Sequence, residues 1–329
     1  MGVSDVSLPP VAGRDYPRTW NQFLDWFQDE ESYAKFLERL RWRQGTVCPQ
    51  CGNFSEPYRA SRMRLMCRKC RHQCAVTSGT VFDKTRTPLR SWFAAVWYVT
   101  NQKHGVSALG LQRVLGSYQT AWTMLHRLRR AMVRPGRERL SGSVEVDETY
   151  VGGPTRTANP GRSRSEKAKT RLSRGTKSIA AIAVEVHEPK GFGRIRLRRV
   201  PNASEDSLLP FVQAAIEPGS LVRTDGSFAY RSLPEHGYPR HKIVHLGSDD
   251  PAHVTMPGVH RIASLLKRWL LGTHQGSVQP QQLDYYLDEF TFRFNRRTSR
   301  SRGLLFYRLL EQAADSAPVT YGAVVGPKD

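Results

Sequence analysis

Val144-Glu145-Val146-Asp147-Glu148-Thr149-Tyr150-Val151-Gly152-Gly153 reads as a β-strand, with β-branched and aromatic residues interleaved with polar ones and two glycines closing the run. Asp147 ends the Val-Glu-Val-Asp portion, where a carboxylate can leave the sheet. The same pattern recurs in Leu221-Val222-Arg223-Thr224-Asp225-Gly226, a second strand with an aspartate at its end. Two strand-end carboxylates can hold one or two divalent ions against a phosphate, activating the attacking oxygen and neutralising the leaving one. A single Asp-Gly is equally a turn cap. Two in this strand order argue for a site.

Working outward, strands are predicted over 144–151, 179–186 and the alternating Arg194 to Val200. A helix over 205–216 with Ser204 as its cap follows, then a strand over 220–224, a short helix near Ala229, a strand over 242–246 and a long helix from about Gly258 to Leu271. The order β-β-β-α-β-α-β-α gives an α/β (α+β) class, a ribonuclease-H-like mixed sheet with its acidic ligands at strand ends and on the last helix. On that helix Ile262, Leu265, Leu266, Trp269 and Leu270 form an apolar stripe, while His260, Ser264 and Lys267 share the opposite face. A ligand and a phosphate-binding lysine would therefore point the same way.

Lysine and arginine total 50 against 29 acids, a formal charge of +21, so the expected partner is a polyanion. No apolar run reaches the roughly 18 residues of a membrane span, and Met1 to Arg14 lacks the basic start and apolar core of a secretion signal. The expectation is a soluble, cytoplasmic protein without a membrane partner. Its 329 residues divide into a helical segment (15–45), a zinc ribbon (46–85), a helix-turn-helix region (86–140), a catalytic domain (141–300) with a basic insertion (155–177), and a C-terminal tail (301–329).

The ribbon rests on Cys48-x2-Cys51 and Cys67-x2-Cys70, with 15 residues between the pairs. Each tight turn aims two thiolates at one point, and two turns complete the tetrahedron of one structural Zn²⁺. Nothing in packing demands such doublets. Cys74 is expected to be a half-buried strand residue. The basic neighbours Arg68, Lys69 and Arg71 suit contact with a DNA backbone, although a solvated face explains any one of them nearly as well.

After Gly116, Ala121, Leu125, Leu128 and Met132 make one helical stripe, and Thr123, His126, Arg127 and Arg130 lie opposite. With the preceding helix 107–115 this fits a helix-turn-helix whose second helix enters a major groove, and it fits a surface hairpin about equally. The insertion carries Arg162, Arg164, Lys167, Lys169, Arg171, Arg174 and Lys177 against the single acid Glu166, and is a further candidate DNA contact.

Cys-Pro-Gln-Cys-Gly (48–52), Ser-Gly-Thr-Val-Phe (78–82), Val-Asp-Glu-Thr-Tyr-Val-Gly-Gly (146–153), Thr-Asp-Gly (224–226), Ser-Leu-Leu-Lys-Arg (264–268) and Leu-Asp-Glu-Phe-Thr-Phe-Arg-Phe-Asn-Arg-Arg (287–297) together resemble the acidic-triad (DDE) transposases of bacterial insertion sequences, which join a zinc ribbon to a ribonuclease-H-like domain. The resemblance implies Mg²⁺- or Mn²⁺-dependent cleavage at transposon ends and strand transfer into target DNA. It also implies double-stranded DNA partners, the terminal inverted repeats and the target, and a homo-oligomer. By that pattern Asp147 and Asp225 are the first two triad acids and Lys267 assists them. The third position, usually glutamate or asparagine, falls on His260, with 34 residues between it and Asp225. Asp249, Asp250 and Glu289 are the alternative acids. A DNA-binding protein without catalysis, or a nuclease without strand transfer, are the rival readings.

Overall fold

A computed structural model describes residues 9–325 apart from 62, 135, 153–176, 188, 190, 244–254 and 277. Most of the basic insertion, and the alternative acids Asp249 and Asp250, therefore lie outside the described residues. The chain forms two compact units, one running to residue 134 and including everything from Ser299 onward, the other spanning 135–298. No described helix is long and apolar enough to cross a membrane.

In the first unit, α1 (Trp20–Trp26) and α2 (Glu30–Arg41) precede a three-stranded antiparallel sheet of β1 (Tyr58–Ala60), β2 (Arg64–Met66) and β3 (Gln73–Ala75). Asp29 starts α2 through a reciprocal capping box with Ser32. Helices α3 (Leu89–Asn101), α4 (Ala108–Leu115) and α5 (Tyr118–Ala131) follow, with Gly116 in the left-handed conformation between the last two. The segment 301–329, expected as a tail, holds α9 (Arg302–Asp315) and α10 (Tyr321–Val325). Phe306 of α9 is fully buried, its ring 5.4–5.9 Å from those of Phe23, Phe93 and Trp97. The C-terminal helix thus completes the core begun by the N-terminal ones.

The second unit is built on a five-stranded sheet. Its strands are β4 (Ser143–Val151), β5 (Ser178–Val186), β6 (Phe192–Val200), β7 (Leu221–Thr224) and β8 (Arg240–Lys242), in the order β6-β5-β4-β7-β8. β5 runs antiparallel to both neighbours, whereas β4, β7 and β8 are mutually parallel. Helix α6 (Glu205–Ala215) packs on one face over Val144, Val146, Ala181 and Ala183. Helices α7 (Pro257–His274) and α8 (Leu283–Asn295) cover the other over Val151, Ala180, Ile182 and Val184. Cover on both faces explains why Ile179 to Val184 is almost continuously apolar. This is the ribonuclease-H-like mixed sheet that the element order implied.

Two boundaries differ from expectation. β8 begins at Arg240, two residues before the predicted 242, because Arg240 to Lys242 pair in parallel with Val222 to Thr224. β4 runs on through Val151 along β5 but pairs with β7 only from Ser143 to Glu145, so Asp147 is interior to its strand on one side and beyond the end of the pairing on the other.

Candidate active site and metal centre

The two Cys-x-x-Cys turns are built alike. Cys48 N–H donates to Asn53 O (3.0 Å) and Gly52 N–H to Cys48 O (2.9 Å); Cys67 N–H donates to His72 O (2.9 Å) and Arg71 N–H to Cys67 O (3.1 Å). Closing each turn needs a positive φ one residue after the second cysteine, +66° at Gly52 and +62° at Arg71. The four Sγ atoms lie within 4.8 Å of one another, with Cys48 to Cys70 at 3.6 Å and Cys51 to Cys67 at 3.7 Å. A tetrahedron of about 2.3 Å Zn–S bonds has edges of about 3.8 Å. The donor set fits one structural zinc. Backbone N–H groups of Cys70 and Lys69 aimed at Cys67 pull its thiol down to about 6, which favours the thiolate that a metal needs. Cys74 sits half-buried on β3, its thiol pushed up by burial and outside the cluster.

The acid site grows from the β4–β7 pair. Ser143, Val144 and Glu145 lie in register with Leu221, Val222 and Arg223, and two residues beyond the last matched pair the two chains reach Asp147 and Asp225. Asp147 Oδ1 accepts from Glu148 N–H (2.8 Å), and Asp225 Oδ1 from Ser227 N–H (3.0 Å). Arg240 braces the turn after β7, donating to Thr224 Oγ1 (2.8 Å), Asp225 O (2.9 Å) and Ser227 O (3.1 Å).

Glu148 points to the opposite face and accepts from Tyr230 Oη (2.8 Å). Burial pushes its carboxyl up, and the charges of Asp147 and Asp225 push it further against the pull of the Tyr230 hydroxyl. Burial and the neighbouring Glu148 hold the Tyr230 phenol well above its ordinary value. The charges of both candidate acids therefore act on Glu148, whose own hydrogen-bonding partner is Tyr230.

His260 is half-buried in the first turn of α7, whose Ile262, Leu266, Trp269 and Leu270 are buried as the stripe predicted. Lys267 is exposed and lies near the C-terminal end of β4, lining a groove of about 550 Å³ with Tyr150, Val151, Gly152, Leu270 and Leu271. Among the described residues only the four cysteines form a group of three or more metal-type ligand atoms all within 4.8 Å; Asp147, Asp225 and His260 are not drawn that close together. Glu289 is fully buried and ion-paired with Arg293 at 2.8 Å, so it serves the packing of α8.

Sequence reading missed Glu145 and Arg223. Each stands two residues before a candidate acid, on the same strand face. Glu145 is fully buried and accepts from Val259 N–H (3.0 Å); Arg223 Nη2 donates to Thr255 O (3.2 Å). Burial pushes the Glu145 carboxyl up, and the N–H groups of Val259 and Gly258 with the charges of Arg223 and His260 pull it back. The available signal was a charged residue at an inward position of an alternating strand.

Of the predicted DNA-contacting residues, Arg130, Arg68, Lys69, Arg71 and Lys177 are exposed, while Thr123 and Arg127 are half-buried. The guanidinium of Arg68 stacks over the Tyr58 ring at 4.4 Å, with Arg71 beside it at 5.4 Å. His126 departs from the expected free face. It is fully buried, with Nδ1 2.9 Å from Trp122 O, because α5 packs against α3, α4, α9 and α10 and is covered on more than one side. Arg162, Arg164, Lys167, Lys169, Arg171 and Arg174 lie outside the described residues.

Comparison with known proteins adds the following. The ISXO2-like transposase domain matches residues 139–295, and the transposase zinc-ribbon domain matches residues 28–73. A protein described as "Uncharacterized protein in transposable element ISH50" from Halobacterium salinarum is 30% identical over 279 residues, 81% of this chain and 91% of that one. Among solved structures, the catalytic core domain of BIV integrase overlays 46% of this chain and 82% of its own at 15% identity with a TM-score of 0.27, too loose a likeness to bear on mechanism.

Proposed function

The chain belongs to the insertion-sequence transposases that carry a zinc ribbon and an ISXO2-like catalytic domain, and on that footing we propose that it cuts and joins DNA at the ends of its element. The single observation that supports the chemistry is the parallel β4–β7 register, whose last matched pair, Glu145 and Arg223, comes two residues before Asp147 and Asp225. These two carboxylates, with His260 as third donor, would hold one or two Mg²⁺ or Mn²⁺ ions, which supply a more acidic attacking oxygen and charge neutralisation at the leaving one. The backbone bonds to Asp147 Oδ1 and Asp225 Oδ1 orient both acids, and Arg240 keeps the Asp225 turn from moving away. Lys267 offers its ammonium to a phosphate further along the scissile strand. The exposed Arg68, Lys69, Arg71, Arg130 and Lys177 suit the backbone of double-stranded DNA, the inverted repeats and the target, in a homo-oligomer of the cytoplasm.

A second reading, binding without cutting, is favoured by one observation: imidazole at the third position brings no negative charge to offset a dication. Incubating the protein with a labelled element end, supercoiled plasmid and Mg²⁺ or Mn²⁺ separates the readings. Joined product supports transposition, nicking alone a nuclease, and a shifted band alone a binding protein.

A further inference from the structure

Helix α7 cannot finish its own N-terminus. Pro257 at its first position has no N–H, and Met256 before it supplies no side-chain cap, so the N–H groups of Gly258 and Val259 need an acceptor from elsewhere in the fold. Glu145 provides it from β4, 114 residues earlier, with Oε2 3.0 Å from Val259 N, and its negative charge also suits the positive end of the helix dipole. The approach depends on Gly258, since a Cβ there would lie 2.8 Å from Glu145 Oε2 and 3.4 Å from the Phe192 ring. On the neighbouring strand Arg223, the register partner of Glu145, takes the carbonyl of Thr255 just ahead of the same helix.

The two strands that carry Asp147 and Asp225 thus each send a side chain, two residues upstream of the acid, to the residues around the start of the helix that carries His260. We infer that Glu145 and Arg223 are positioning residues, a clamp that fixes His260 relative to the acid pair. The inference rests on the catalytic reading above and adds to it the device that keeps a third donor, on a different element, in step with the other two. Without the clamp α7 keeps its apolar packing on the sheet, but its first turn loses the bonds that Glu145 and Arg223 make to Val259 and Thr255, and His260 loses the placement they give it.

The test uses the full chain with its zinc in place. Mn²⁺ affinity is measured by the electron paramagnetic signal of free Mn²⁺, and amide hydrogen exchange is followed across 255–262, for wild type, Glu145→Ala, Glu145→Gln, Arg223→Met and His260→Ala. Expected are exchange that speeds up at 255–262 alone in Glu145→Ala and Arg223→Met, and a fall in Mn²⁺ affinity of about 10- to 100-fold in both, the size typical when the partner that orients a metal ligand is lost. Glu145→Gln keeps an oxygen for the helix N–H groups and should recover most of the affinity. The double variant Glu145→Ala/His260→Ala should bind Mn²⁺ no more weakly than His260→Ala alone, because the clamp acts through His260. Losses that add, or exchange at 255–262 that stays at the wild-type rate, would overturn the clamp. Should Glu145→Ala fail to fold, Arg223→Met decides by the same readouts. Wild type that binds no Mn²⁺ would remove the catalytic reading, and the exchange arm would still decide whether Glu145 and Arg223 hold the helix start.

Discussion

Glu145 and Arg223 stand opposite each other as the last matched pair of the parallel β4–β7 register, and each comes two residues before a candidate acid, Asp147 and Asp225. Asp147 takes a backbone N–H from Glu148, and Asp225 closes a turn with Ser227. Both acids follow closely on the position at which β4 and β7 stop pairing, and the consequences can be measured.

The third donor is the most exposed part of the account. His260→Ala should abolish cleavage and leave DNA binding intact, since the buried stripe of α7 contains none of its atoms. His260→Glu should restore a carboxylate and shift the preference from Mn²⁺ toward Mg²⁺. Cleavage by His260→Ala at the wild-type rate in both metals would exclude the residue from the site.

The zinc centre should be a folding element. Cys51→Ser is expected to abolish stoichiometric zinc and unfold the ribbon, because such small domains draw their folding energy from the metal. Metal analysis of the purified protein checks it. Wild-type protein without about one zinc per chain would remove the site.

Arg71 separates stability from binding. Its φ of +62° is the conformation Gly52 adopts in the twin turn, so Arg71→Gly should raise the ribbon's stability by about 1 kcal/mol. If the guanidinium also meets a phosphate, the same change should flatten the log–log salt dependence of DNA binding by about 0.9. Thermal melts and binding isotherms at several salt concentrations read the two effects independently.

Much of this was readable before any coordinates. The cysteine doublets named their own chemistry, and the alternation of 144–151 with the stripe of α7 placed the sheet and the helix that carry the site. What escaped depends on partners far away in sequence. Glu145 looked like one more polar residue of a strand, because only the fold brings Val259 to it. His126 lay opposite the apolar stripe of α5, yet Arg302–Asp315, in a segment expected as a tail, and Tyr321–Val325 join the helices packed around that helix. The register linking Glu145 to Arg223 is likewise a property of two strands together, and neither strand alone specifies it.

Glu185 supplies a pH test of the catalytic unit's frame. Burial alone would raise its carboxyl, but the side-chain and backbone donors of Arg194, with Ser141 N–H, more than offset this and hold it below its ordinary value. A carboxylate whose folded value is depressed contributes stability above its unfolded value near pH 4.3, and loses it as pH falls through the folded value. Glu185→Gln should therefore cost about 1.5–3 kcal/mol at pH 7, with the difference closing below about pH 4. Denaturant titrations at both ends of that range would reveal a pH-independent cost if the ion pair is irrelevant.

The most direct test of the central claim compares wild type with Asp147→Asn and Asp225→Asn for joining of a labelled element end to plasmid DNA in Mg²⁺ and in Mn²⁺. The acid pair predicts joined product for wild type alone. Each variant should lose more than the roughly 100-fold that removal of an outer partner of a metal ligand costs, and both should bind the end as tightly as wild type. Joining by either variant at a rate near that of wild type would contradict the account.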